Sequence, residues 1–245
     1  MSWCDKLAST PTIGLKLEPY AVASYSFIQA WAPIMNESIE GGDDAKFSVE
    51  ITDPLGFSFT TNDGFKYSAD KARCSVSFQH RMKLRAVSGG PPVMEMLSQP
   101  RPYTELLEEV ADRLTRAALL LPFASKRRIR RVGVISTTQV DKADLPPGIT
   151  RLLNYVGKPW GSEPENMTLS MTTRVGETKD GSDKCIHLIK IPDDKNELLT
   201  VQFDWYREFT SDRPITTDAL KAITTEAKKG ALAYFEEIAE GKRFE

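Results

Sequence analysis

Between Cys74 and Leu84 the chain alternates without a break. Cys74, Val76, Phe78, His80, Met82 and Leu84 fall on one side, and Ser75, Ser77, Gln79, Arg81, Lys83 and Arg85 on the other. A period of two with one apolar side is the pattern of an antiparallel strand buried on one face and wet on the other. Such a sheet cannot stand alone, because its apolar face needs a second layer. The rest of the chain must supply both the partner strands and the cover.

Partner strands are readable on either side. Ile13, Leu15 and Leu17 alternate with Gly14 and Lys16 over Thr12 to Leu17, and Phe47, Val49 and Ile51 alternate with Ser48 and Glu50. Asp53-Pro-Leu-Gly56 reads as a turn, Phe57 and Phe59 open a short strand, and Asn62-Asp63-Gly64 signals a hairpin into Phe65, Tyr67 and Ala69. Ile129 to Val140 is rich in Val, Ile and Thr. Met167 to Thr173, Lys184 to Ile191 and Leu199 to Trp205 follow as three strands, separated by turns at Lys179–Asp183 and Pro192–Asn196. The cover comes from apolar stripes at helical spacing. These run over Tyr20 to Ala32, limited by Pro33, then Thr104 to Leu121, broken by Pro122, then Ile149 to Val156, and Thr217 to Glu240. Residues 40–44 and 88–102 read as connections.

The order is strand, helix, three or four antiparallel strands, helix, and then the same again. The expected fold is α+β, built from two similar β-α-β-β-β-α halves, residues 1–122 and 123–245, packed as one unit with helices covering one face of antiparallel sheets. No sequence identity links the halves, so the repeat is one of topology. This order is similar to the doubled saddle of the TATA-box-binding protein and to helix-grip folds, a similarity that carries no function by itself.

At 245 residues the chain is long enough to fold without a disulfide or metal staple. Its three cysteines, Cys4, Cys74 and Cys185, are an odd number at no motif spacing, which points to a reduced, cytoplasmic protein. The start lacks a basic segment followed by an apolar run, and no stretch reaches the length of a membrane span, so neither a signal peptide nor a membrane partner is expected.

Catalytic motifs are missing. No Gly-x-Ser-x-Gly, His-Glu-x-x-His or phosphate-binding glycine loop occurs. The two histidines, His80 and His187, each share a strand face with a cysteine. Cys74 and His80 would nevertheless lie ~20 Å apart, and Cys185 and His187 ~6.5 Å between Cα atoms, a poor metal set and a poor nucleophile–base pair. Glu40/Asp43/Asp44 and Asp193/Asp194 sit in turns, where acidic residues serve local hydrogen bonds. No catalytic residue, metal site or cofactor is expected.

Charge is more informative. Residues 1–70 hold 4 Lys+Arg and 10 Asp+Glu, residues 71–131 hold 13 and 5, and residues 132–245 hold 15 and 19. The basic middle contains Lys126-Arg-Arg-Ile-Arg-Arg131, five cations in six residues. With Arg81, Lys83 and Arg85 on the polar face of the long strand, Lys126, Arg127, Arg128, Arg130 and Arg131 would form an anion-binding stripe if the two surfaces meet. The alternative is that these cations guard sheet edges or pair with Glu105, Glu108 and Glu109 of the next helix.

Arg131-Val-Gly133-Val-Ile135, Leu153-Asn-Tyr155, Leu199 to Tyr206 with Asp204, and Tyr234-Phe-Glu-Glu-Ile238 together resemble a sporadically distributed family of uncharacterised bacterial proteins of this length. That family places an Arg and an Asn soon after the glycine, and Ile135 to Thr138 supply neither. The resemblance implies the duplicated fold and a bacterial cell, and no catalytic residue. The functional expectation is a non-catalytic binding module whose partner is another protein. The alternatives are a polyanion or nucleic-acid binder using the basic stripe, a helix-grip binder of a small molecule beneath the last helix, and an enzyme of unrecognised type.

Overall fold

A computed structural model describes residues 3–6, 9–20, 24–39, 48–53, 56–80, 82–85, 93–96, 101–161, 166–192 and 198–243. The expected loop at 40–44 and the Asp193/Asp194 turn lie outside these residues, as do Arg81 and residues 86–92 and 97–100 of the long connection.

The chain runs through α1 (Trp3–Lys6), β1 (Thr10–Glu18), α2 (Ser24–Ile39), β2 (Ser48–Asp53), β3 (Gly56–Thr60), β4 (Phe65–Ala69) and β5 (Arg73–Phe78). It continues through β6 (Met82–Arg85), β7 (Val93–Met96), α3 (Tyr103–Leu119) and β8 (Arg128–Val140). The remaining elements are α4 (Pro147–Gly157), β9 (Met167–Thr178), β10 (Gly181–Ile191), β11 (Leu199–Pro214) and α5 (Thr217–Glu240). Nine strands form one sheet in the order β2-β3-β4-β5-β1-β8-β11-β10-β9, and β6 and β7 pair separately. Every neighbouring pair is antiparallel.

Val93–Met96, inside the expected connection 88–102, is the strand β7, and two further sequence expectations are corrected. The alternation from Cys74 to Leu84 is not one strand: β5 stops at Phe78, and Met82–Arg85 joins a separate ribbon with β7. The reason is the loss of neighbours. β1 pairs with β5 only as far as Thr12↔Ser77, and β4 begins at Phe65↔Phe78, next to its hairpin turn. Alternation without a partner ladder does not hold a strand. The second correction is Pro33, which lies inside α2 instead of ending it. Pro33 and Gln29, whose carbonyl the proline leaves unpaired, are both exposed, so water can take that carbonyl. Phe27, Trp31 and Ile34 are buried on either side of it and hold both segments down.

The strands bury one parity. Ile13, Leu15 and Leu17 of β1, Cys74, Val76 and Phe78 of β5, Val132 and Val134 of β8, and Val201, Phe203 and Trp205 of β11 all belong to the core. Helical side chains meet this parity. Trp31 of α2 lies edge-on to Phe59 and Tyr67, and its Nε1 donates to the Ala117 carbonyl of α3 at 2.9 Å. Phe235 of α5 stacks on Phe203 at 5.4 Å between ring centres. Trp3 of α1 packs on the same Phe203 at 5.8 Å, and Asp5 accepts from the Thr104 backbone N–H at the start of α3. The space beneath α5 is thus filled by aromatic side chains.

Gly230 of α5 lies close against this layer. A Cβ there would stand 2.8 Å from Trp205 Cζ2, and Trp205 is fully buried. Gly230→Ala should therefore lose stability by ~1–3 kcal/mol despite alanine's better helix propensity. Phe78→Ala and Tyr234→Ala should each cost ~3–5 kcal/mol. Urea denaturation midpoints at constant slope check all three.

Candidate binding face

The five junction cations do not share a surface. Arg127 is only 1 % exposed; its Nε donates to the Pro19 carbonyl at 3.3 Å and its Nη2 to the Lys71 carbonyl at 2.8 Å. It therefore ties the end of β1 and the β4–β5 turn to the mid-chain junction, and burial lowers its pKa. Arg128 donates to the carbonyls of Ser125 and Arg127. Arg130 is held between Glu18 at 2.9 Å and Asp212 at 2.7 Å. Arg128, Arg130, Glu18 and Asp212 border a cleft of about 440 Å³ with Pro19 and Tyr20, where two cations face two carboxylates. Lys126 is exposed, and Arg131 lies on the sheet. Lys83 and Arg85 stand opposite Glu95 and Val93 on the β6–β7 ribbon, away from the strand that was to carry them beside Cys74.

The sheet brings other charges together. On the parity opposite the core, register places Glu208, Arg131, Lys16 and Arg73 in one row across β11, β8, β1 and β5. The next row holds Tyr206, Gly133, Gly14 and Ser75. Arg131 lies 3.5 Å above the Tyr206 ring centre and 3.5 Å from Asp204. Burial raises the Asp204 pKa, and Arg131 and Arg73 act against that rise. Lys184 binds Glu208 at 2.6 Å and holds its carboxyl below the usual range. Adjacent positions are small and hydroxylated: Thr12, Ser75 and Ser77 are half-exposed, and Thr168, Ser170 and Thr172 are exposed.

Across β4, β5, β1, β8, β11, β10 and β9 this parity carries eight cations, Lys66, Arg73, Lys16, Arg128, Arg131, Lys184, Lys190 and Arg174, and four carboxylates, Glu18, Glu177, Asp204 and Glu208. Of these twelve, sequence reasoning singled out only Arg128 and Arg131 as charged contacts. Lys16 was legible as the lone charge on the wet side of its strand, but the row exists only because β1 pairs with both β5 and β8.

The interior groups have structural duties. His187 is 1 % exposed; its Nε2 lies 3.1 Å from Tyr234 Oη and 3.0 Å from Thr173 Oγ1, which is itself 2.8 Å from that hydroxyl. Burial brings the His187 pKa down to about 4. Cys4 and Cys74 are pushed up to about 12 by burial, and Cys185 is raised for the same reason. A thiol so raised is a weak nucleophile at neutral pH. His80 lies just after β5, edge-on to Phe78 at 5.2 Å. Among the described residues no three His, Cys, Asp or Glu side chains are grouped to hold a metal, and no helix is long and apolar enough to cross a membrane.

No protein-family model, curated protein or solved structure matches this chain.

Two outcomes follow from these placements. Arg127→Ala should destabilise by ~2–5 kcal/mol, since the buried side chain is lost and two carbonyls lose their donor, whereas Lys126→Glu next to it should leave the denaturation midpoint unchanged. His187 is held neutral in the fold and takes a proton more readily when unfolded, so its stabilisation is complete above pH ~6.5 and is lost as pH falls toward 4. The loss should reach roughly 3 kcal/mol, and a His187→Gln variant should show a flatter melting profile between pH 7 and 4.

Proposed function

We propose that this chain is a non-catalytic binding module, cytoplasmic and bacterial, that docks an acidic protein partner on the wet face of its sheet. The observation that carries the reading is the row Arg131, Lys16, Arg73. Like charges directly opposite one another destabilise a sheet, so three in a row need a counterpart. Asp204 and Glu208 supply part of it, and an acidic partner would supply the rest. The surrounding glycines, serines and threonines make a low shelf on which another polypeptide can lie, and the half-exposed Ile135, Ile186 and Leu188 give it apolar contacts.

The layout supports the same reading. In the proposed duplication, β1-α2-β2-β3-β4-β5-α3 corresponds to β8-α4-β9-β10-β11-α5. The last strand of each half returns beside its first, β5 beside β1 and β11 beside β8, and the two first strands meet in the middle. The contacts of α1, α2 and α5 with aromatic residues of the core parity favour helices gathered on that face, which would leave the charged parity open. A protein partner is favoured over nucleic acid because Ile135, Ile186 and Leu188 give the shelf apolar contacts that a phosphate chain cannot use. Stacking aromatics are also scarce there, since Tyr206 is buried beneath Arg131.

Chromatography on immobilised poly-glutamate, heparin and duplex DNA tests this. The wild type should be retained on poly-glutamate at ~50 mM salt and released by ~200 mM, as exposed charge contacts require. Lys16→Glu with Arg73→Glu, both at exposed positions, should abolish retention with an unchanged melting temperature. Flow-through of the wild type at low salt would sink the proposal. Retention on DNA that far outlasts retention on poly-glutamate would replace the protein partner with nucleic acid.

A further inference from the structure

The two outer strands of the sheet are unlike. At one end β2 has six residues, contains Glu50 and Asp53, and loses register against β3 between those two acids. Charge, shortness and irregularity are the ordinary means by which a sheet edge is kept from pairing with another chain. At the other end β9 has twelve residues and, among the described residues, pairs with β10 alone. From Met167 to Thr173 it runs Met-Thr-Leu-Ser-Met-Thr-Thr, with no charge, no proline and no shift of register against β10 until Arg174 is passed. Thr168, Ser170 and Thr172 are exposed, and Met167, Leu169 and Met171 are half-exposed where they pack against the core. An unguarded edge of this length is a template for another strand.

We infer that β9 pairs antiparallel with β9 of a second copy of this chain, across a two-fold axis at Ser170. The segment is self-complementary about that residue. Directly opposed side chains in an antiparallel pair share a face, so Leu169 meets Met171 of the other copy on the core parity, twice by symmetry. On the wet parity Thr168 meets Thr172 twice, and Ser170 meets itself. Apolar side chains thus oppose apolar ones and hydroxyls oppose hydroxyls over Thr168 to Thr172, and Met167 meets Thr173 at either end. Arg174, the one charge between Met167 and Val175, falls opposite Asn166 and never opposite another cation. The pairing joins two nine-stranded sheets into one continuous sheet and sets the wet faces of both copies side by side. The surface is separate from the Arg131–Lys16–Arg73 row, so either inference can fail alone.

Light scattering after size exclusion should give the wild type twice the 27.4 kDa mass of one chain. Ser170→Lys opposes two lysines at the axis and should yield a folded monomer with an unchanged circular-dichroism spectrum; Ser170→Glu should do the same. Mixing the two variants should restore the dimer, which a merely misfolded edge would not do. Cysteine cross-linking fixes the register, because Cys4, Cys74 and Cys185 are buried and do not compete. Opposed Cα atoms in an antiparallel pair are ~4.5–5.5 Å apart, within disulfide range. Ser170→Cys should form a covalent dimer on mild oxidation, and Thr172→Cys, offset by four residues from its own copy, should not. A wild type that stays monomeric up to ~0.5 mM, where even a weak specific contact would register, overturns the inference. So does a dimer that survives Ser170→Lys, or one that does not cross-link through residue 170.

Discussion

The pairing of β1 with β8 makes one body of this chain. Nine residues of β1, Thr10 to Glu18, find partners on a strand more than a hundred positions later, with a single shift of register between Lys16 and Leu17. Each of those strands also has one further neighbour: β5 closes onto β1 from one side, and β11 closes onto β8 from the other. Without the central pair there would be two small sheets with two exposed edges in the middle, each needing its own core. With it, the interior groups run continuously from Phe57 near one end to Ile189 near the other.

The same pair explains the distribution of charge. A strand buried on one face must put its polar residues on the other, and pairing by register then sets them opposite each other whatever their sign. Lys16 meets Arg131 on one side and Arg73 on the other for this reason. Asp204 and Glu208, from the strand beyond β8, offset only part of that charge. Arg127 went the opposite way. It is in the same basic run as Arg131, yet it turns inward and satisfies two loop carbonyls that the sheet leaves unpaired. A buried guanidinium with carbonyl partners is a structural clamp, and it is lost to any surface role.

The interior titratable groups are arranged as packing elements that accept polar company. His187, Tyr234 and Thr173 form a closed triangle of hydrogen bonds between β9, β10 and α5. Asp183 binds Arg207 through two contacts, at 2.6 and 2.9 Å, and Arg207 reaches on to Glu226 of α5. Both sets tie the last helix to the far side of the sheet. Directional contacts of this kind specify one seating of a helix more sharply than apolar contact alone.

The sequence by itself determined the kinds of element and much of their order. The alternation in Thr12–Leu17 and Leu199–Trp205 and the Val, Ile and Thr content of Ile129–Val140 reappear as β1, β11 and β8, and the stripes ending near Leu121 and Glu240 as α3 and α5. These are local properties: side chains two or about 3.6 residues apart share a face whatever the rest of the chain does. Only the tertiary structure decided what depends on a distant neighbour. It cut the Cys74–Leu84 alternation at Phe78, where β1 and β4 run out, and it carried α2 through Pro33, where the proline could face water. It likewise dispersed the cations of 126–131 to interior, cleft and sheet, and built a different row from Lys16, Arg73 and Arg131. Periodicity states which face a residue takes, but which residues meet on that face is set by strand register across a separation the local pattern does not contain.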